Sequence, residues 1–207
     1  LITPKAKHYA AILEPKDLGG LLRAIQDYTG NFITRYALLI APHVFVRPGE
    51  LRHADWREID LEEGVWRIPE GKMKARRPHA VPLSTQVVGY LKELAEMVGT
   101  EGYVFPSARA SVRPMSENTL NAAFRRMGFT KDEVTAHGLR ATASTMLNES
   151  GLWNADAIER ALAHGHSNAV RGTYARGQHW AERVKMAQWW SDYLDKLRLG
   201  GEFVPMR

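Results

Sequence analysis

With 207 residues and no cysteine, the chain has room for one domain of ordinary size and none for disulfides, thiolate metal sites or cysteine nucleophiles. Apolar residues make up 44% and charged residues 25%, a globular balance in which nothing suggests disorder. The 28 Lys and Arg against 23 Asp and Glu leave a charge of +5, which suits an anionic partner such as nucleic acid without requiring one.

After an extended start, "PKDLGGLLRAIQDY" and "NFITRYALLIAPHVF" carry apolar residues three and four apart, which predicts two packed helices with Gly30 between them. The apolar run inside the second is too short to span a bilayer and is interrupted by Pro42 and His43, so no membrane association is expected. In "RPGELRHADW", Pro48 suits a first helical position and Glu50 a first turn, which places Arg47 at a helix start. The period then changes, and segments 56–59, 65–68 and 80–83 read as three short antiparallel strands. Ser84 is expected to cap a helix whose apolar face is Val87, Val88, Leu91, Leu94, Met97 and Val98, with Gly99 ending it.

Helical patterns fill the rest. "SENTLNAAFRRMG" stops at Gly128, "HGLRATASTMLNESG" stops at Gly151, and "NADAIERALAH" follows. A short piece holds Tyr174, and in "HWAERVKMAQWWSDYLDKL" the residues Trp180, Val184, Ala187, Trp190, Leu194 and Leu197 form one stripe. That stripe must be buried, in this chain or against a neighbouring protomer, and packing within the chain is the simpler expectation. The fold class expected is mainly α with a small three-stranded antiparallel β-sheet (α+β), as a single domain over 1–207. Because the sequence begins at Leu1, it is read as a piece of a longer protein.

Several short motifs bear chemistry. In "HGLR", His137 and Arg140 lie three apart at a helix start, where both side chains and the exposed N–H groups suit a phosphate oxygen. Arg47 offers a second planar fork, with Glu50 three residues on to hold it. Two such forks suit one phosphodiester and the extra charge of its pentacoordinate transition state. "EGKMKARRPH" packs Lys72, Lys74, Arg76 and Arg77 into a turn, either as a solvated face or as DNA backbone contacts, and a lysine there can protonate a leaving oxygen. Lys74 is the first choice for that acid and Lys72 the reserve.

His164 and His166 in "ALAHGHSNAV" stand two apart, on different sides of a helix, with carboxylates sparse around them, Glu159 upstream and Glu182 downstream. No metal site is therefore expected, and a donor to a phosphate oxygen is the better reading of His164. Tyr174 lies in "VRGTYAR" between Arg171 and Arg176. It is either a core ring or a nucleophile; as nucleophile its phenol, with a pKa near ~10, would need cationic neighbours or a base.

Taken in order, "RPGEL", a lysine in the turn before "HAVPLS", "HGLR", "LAH" and "VRGTYAR" resemble the catalytic domain of the tyrosine recombinases, the phage integrase family, from about residue 8 to the C-terminus. "ELRHADWREIDL", "MSENTLNAAFRRMG", "TASTMLNESG" and "AQWWSDYLDKL" further resemble integrases of prophages and genomic islands. The chain has "LAH" and a ten-residue step to the tyrosine, as that subgroup does, where many members have "LGH" and nine.

The resemblance implies that Arg47, Arg140 and His164 hold the scissile phosphate, that His137 assists proton transfer, and that Lys74 is general acid for the 5′ hydroxyl. Tyr174 would attack to form a 3′-phosphotyrosyl link, with Glu50 in a supporting position. Lys72, Arg76, Arg77 and Arg171 are expected DNA contacts. It implies no cofactor and no metal, double-stranded attachment-site DNA as partner, a homo-tetramer on DNA for the longer protein, an isolated domain that is monomeric, and a cytoplasmic place at the bacterial nucleoid. The competing expectations are relaxation of DNA by a type IB topoisomerase and a DNA-binding regulator that has lost catalysis.

Overall fold

Pro15 opens α1 (Pro15–Gln26), where its missing N–H goes unneeded, and Leu18, Leu21, Leu22 and Ile25 form the buried stripe. The structure is a computed structural model describing residues 10–74, 76–164 and 179–201. Tyr174 and Arg171 lie outside the described residues. Asn31 caps α2 (Phe32–Ile40), its side chain accepting from the Thr34 N–H at 3.2 Å. The helix ends at Ile40, short of the expected run to Phe45, because Pro42 has no N–H to continue the ladder. Val44, Phe45 and Val46 then pass through the core outside any helix or strand and deliver Arg47 to the N-cap of α3 (Pro48–Arg52).

The first expected strand is mostly a turn. The Asp55 carboxylate accepts from the Arg57 N–H at 3.1 Å and starts a 3₁₀ turn over Trp56–Glu58, leaving only β1 (Ile59–Asp60) extended. β1 pairs antiparallel with β2 (Val65–Ile68), with Ile59 opposite Trp66. β2 in turn pairs with β3 (His79–Pro82), with Ile68 opposite His79. The expected three-stranded sheet is thus present, and residues 69–78 form the connection that carries the basic cluster.

Ser84 caps α4 (Thr85–Val98), and Gly99, at φ +75°, takes the left-handed conformation that ends it. Its buried face is narrower than expected. Val87, Leu91 and Leu94 are buried, whereas Met97 and Val98 are 55% and 37% exposed in the last turn. A second hairpin, β4 (Pro106–Ser107) with β5 (Ala110–Pro114), was not expected; its strands lack apolar alternation, and Val112 is 82% exposed.

Next come α5 (Thr119–Arg126), α6 (Gly138–Ser150) and α7 (Ala155–Ala161), near the predicted bounds. The last described helix, α8 (Trp180–Arg198), packs within the chain against α1, α7 and β3. Ala187, Trp190, Leu194 and Leu197 of the predicted stripe are buried, joined by Arg183, Met186 and Tyr193, while Val184 points outward. Trp190 donates from its indole N–H to the Pro42 carbonyl at 2.8 Å, and its ring lies 6.3 Å from Phe45. This anchors the segment leading to Arg47. Gly19 lets α1 and α8 close up, since a Cβ there would lie 2.6 Å from the Leu197 carbonyl oxygen. No described helix is long and apolar enough to cross a membrane.

Candidate active site

Arg47 caps α3 with its side chain free to reach sideways because Glu50 satisfies the helix start instead. One Glu50 carboxylate oxygen accepts from the Arg47 N–H at 2.7 Å and the other from Arg47 Nη1 at 2.9 Å. Glu50 is buried, and the Arg47 side chain keeps 22% of its exposure, so the pair presents the guanidinium at the surface. Arg47 Nη2 also donates to the Ala163 carbonyl at 3.4 Å.

Arg140 is deeper, at 5% exposed in the first turn of α6. Its guanidinium donates to the Phe45 carbonyl, to the Leu162 carbonyl at 2.7 Å, and to His164 Nε2 at 3.2 Å. Burial, with the Arg47 charge adding, pushes its pKa down to about 10, so it remains a cation near neutral pH. Both arginines are therefore seated on carbonyls at the end of α7, and that turn also carries His164.

The start of α6 is held from α5. The Asn121 side chain accepts from the Ala136 N–H at 2.9 Å, and Thr135 Oγ1 accepts from the Gly138 N–H at 2.9 Å. His137 stands at this start, and burial, then the charges of Arg140 and Arg47, lowers its pKa from the ordinary histidine value. The neutral form of the ring is thus favoured. Thr142 Oγ1 accepts from the Ile12 N–H at 3.0 Å, which docks the chain ahead of α1 onto α6.

These parts border a cleft of about 1180 Å³ whose lining includes Arg47, His53, Lys72, Lys74, Lys131 and His137. Lys74 is exposed and forms no ion pair among the described residues; its charge is felt at His137. Lys72 is differently placed. It donates to the His53 carbonyl at 2.8 Å and pairs with Glu58, bracing the base of the connection. Arg76 and Arg77 are exposed on the same connection, outside the cleft lining, with Arg76 at φ +48°.

Of the residues singled out from sequence, Arg47, Lys74 and His137 line one cleft, while Arg140 and His164 bond each other behind it and meet Arg47 at the adjoining carbonyls of Leu162 and Ala163. Tyr174 and Arg171 fall outside the described residues, as does His166. Glu159, weighed from sequence only as a metal ligand, is 2.8 Å from His164 Nδ1. Asn121 and Lys131 carried no signal beyond being polar residues on or beside a helix.

The sequence pattern of the phage integrase family matches residues 11–179. The chain is 41% identical to the integrase of Enterobacteria phage P4 over 212 residues, covering 96% of this chain and 48% of that protein. Its fold is similar to that of an integrase from mycobacterium phage Brujita, with a TM-score of 0.66 and 15% identity, over 95% of this chain and 65% of the other. It is also similar to the Tn1549 transposon integrase solved in complex with transposon right end DNA, with a TM-score of 0.58 and 17% identity, over 89% and 68% of the two chains. The chain spans about half the length of the curated relatives it matches. On the extent of the family match and these identities, the chain belongs to the phage integrase family.

Proposed function

We propose that this chain is the catalytic domain of a site-specific DNA recombinase that cuts and rejoins strands through a 3′-phosphotyrosyl link. The observation that carries the reading is the seating of Arg47 and Arg140 side by side on the Ala163 and Leu162 carbonyls, with His164 against Arg140. Two adjacent cations, with no carboxylate hydrogen-bonded to Arg140 among the described residues, make a site for an anion.

In this reading Arg47 uses the N–H groups not given to Glu50 and Ala163 to grip two non-bridging oxygens of the scissile phosphate. Arg140 adds its buried charge and its Nε–H, which has no partner among the described residues. Attack on a phosphodiester raises the charge on those oxygens, and a positioned arginine supplies ~10³ to 10⁵ in rate at such a centre. Neutral His137 assists proton transfer at the phosphate. Lys74, on the exposed turn, reaches over the cleft and gives a proton to the departing 5′ oxygen.

Tyr174 supplies the attacking phenol, and a 5′ hydroxyl from another strand later displaces it. The bond energy of the phosphodiester is kept in the link, so neither nucleotide nor metal is required. Arg76, Arg77, Lys72 and Arg171 contact the DNA backbone, with Lys72 also bracing its turn. The partner is duplex attachment-site DNA, the longer protein assembles as a tetramer on it, and the work is done in the cytoplasm at the nucleoid.

The test is a nicked duplex carrying the attachment site, from which the fragment beyond the cut diffuses away and traps the covalent intermediate. A protein–DNA adduct is expected that is lost in Tyr174→Phe and unaffected by EDTA. An adduct that survives Tyr174→Phe would sink the nucleophile assignment. Robust relaxation of supercoiled DNA lacking the site would indicate a topoisomerase instead.

A further inference from the structure

Glu159 lies on α7, five residues before His164 and across the imidazole from Arg140. Its Oε2 is 2.8 Å from His164 Nδ1, while His164 Nε2 is 3.2 Å from Arg140 Nη2. A guanidinium can only donate, so Nε2 must be the acceptor and Nδ1 must carry the proton that Glu159 receives. The opposite tautomer would turn a lone pair toward a carboxylate and an N–H toward a guanidinium. A doubly protonated ring relieves the first conflict and keeps the second. One form of the ring therefore suits both neighbours, and the carboxylate holds it from the Nδ1 side as Arg140 does from the Nε2 side.

We propose that Glu159 is the positioning residue of His164, fixing its tautomer and aiming Nε2 at the place beside Arg140 where a phosphate oxygen enters. This rests on the reading of the cleft as a phosphodiester site. When an oxygen takes the donor that Arg140 gives to Nε2, the nitrogen lone pair is released. Nε2 then takes a proton from solvent and donates it to the oxygen as a hydrogen bond. The ring becomes a cation, and the Glu159 carboxylate on its other side balances that charge. Among the described residues, the charged and titratable groups around the ring are Arg140 from α6, Arg47 ahead of α3, His137 at the α6 start and Glu159 itself. Glu159 is the one carboxylate hydrogen-bonded to the ring among the described residues.

The experiment compares the parent chain with Glu159→Ala and Glu159→Gln by ¹⁵N chemical shifts of the His164 ring, assigned with His164→Asn, and by the rate of adduct formation on the nicked duplex. The Glu159 side chain is about half exposed, at 49%, and circular dichroism checks that both variants keep the fold. The parent ring is expected to show a protonated Nδ1 and a bare Nε2. Glu159→Ala, which leaves Arg140 alone to bias the ring, is expected to raise the share of the other neutral tautomer and slow the adduct about tenfold. Glu159→Gln, whose amide oxygen still accepts from Nδ1, is expected to keep the tautomer and recover part of the rate. An unchanged nitrogen pattern or an unchanged rate in Glu159→Ala overturns the proposal. Absence of any Tyr174-dependent adduct in the parent overturns instead the reading of the cleft, and the ring shifts still decide the role of Glu159.

Discussion

Arg140 donates from Nη2 to the carbonyl oxygen of Leu162 at 2.7 Å, and the same guanidinium bonds the carbonyl of Phe45. A side chain proposed to bind substrate therefore also joins α6 to the end of α7 and to the segment before α3. Arg140→Ala is expected to abolish adduct formation and also to destabilise the fold by about 2–4 kcal/mol, because two buried carbonyls lose their donor. Urea unfolding of parent and variant checks this. An unchanged midpoint with lost activity would mean that water replaces the guanidinium and that its role is catalytic alone.

Two enclosed histidines set the acid limit of the fold. His43 is 7% exposed, with Nδ1 2.8 Å from Ser191 Oγ, and burial pushes its pKa from 6.5 down to about 4. His79 on β3 is pushed to about 4 by burial and by the Arg183 charge. Both stay neutral in the fold while the unfolded chain protonates near 6.5, so between about pH 6.5 and 4 the unfolded state binds more protons. Their contribution is fully present above pH 6.5 and is lost as pH falls through that window, each with a limiting slope of about 1.4 kcal/mol per pH unit. Asp55, held at about 2 chiefly by Arg57, loses its own contribution only below the ordinary aspartate value. Urea midpoints measured from pH 7.5 to 4.5 should fall steadily, and His43→Gln should flatten part of the slope. A level profile down to pH 5 would contradict both assignments.

The elements that could be read ahead of the coordinates are those with local punctuation. Ser84 and Gly99 bound α4, and Gly128 and Gly151, at φ +93° and +65°, follow α5 and α6 because only short-range chemistry is involved. Trp56 to Ile59 misled because apolar and charged residues alternate there, while Asp55 and Glu58 at capping-box spacing favoured a turn. The depth of Arg140 was not legible, since its acceptors lie 95 and 22 residues away in sequence. Glu159 was equally silent: a carboxylate five residues from a histidine meets it only because α7 ends at Ala161 and the chain turns back. The ordered motifs marked Arg47, His137, Arg140 and His164, but the seating of the two arginines on the adjoining carbonyls of Ala163 and Leu162 is a property of the fold.

The two lysines of the turn should separate cleanly. Lys74 is exposed beside the cleft, whereas Lys72 is committed to Glu58 and the His53 carbonyl. If Lys74 is the general acid, Lys74→Ala should slow cleavage of an ordinary phosphodiester by about 10²- to 10⁴-fold. A substrate whose 5′ bridging oxygen is replaced by sulfur leaves as a thiolate and needs no proton, so it should restore most of the rate. Lys72→Ala should instead lower stability modestly and show no such rescue. Rescue of Lys72→Ala alone would exchange the two roles.

Gly138 tests the link between the chain ahead of α1 and the α6 start. A Cβ at this position would lie 1.7 Å from the Ala10 carbonyl oxygen and 3.1 Å from Thr135 Oγ1. The first of these is backbone, so the clash cannot be relieved by a rotamer change; either residues 10–12 lift from α6 or the helix start moves. A helix start that moves carries His137 and Arg140 with it. Gly138→Ala, a substitution that favours helix in the unfolded chain, should therefore destabilise by about 1–3 kcal/mol and slow adduct formation more than its stability loss explains. Amide exchange of Ile12, whose N–H is held by Thr142, separates the two responses: faster exchange with normal cleavage means the N-terminal segment has lifted and the site has stayed in place.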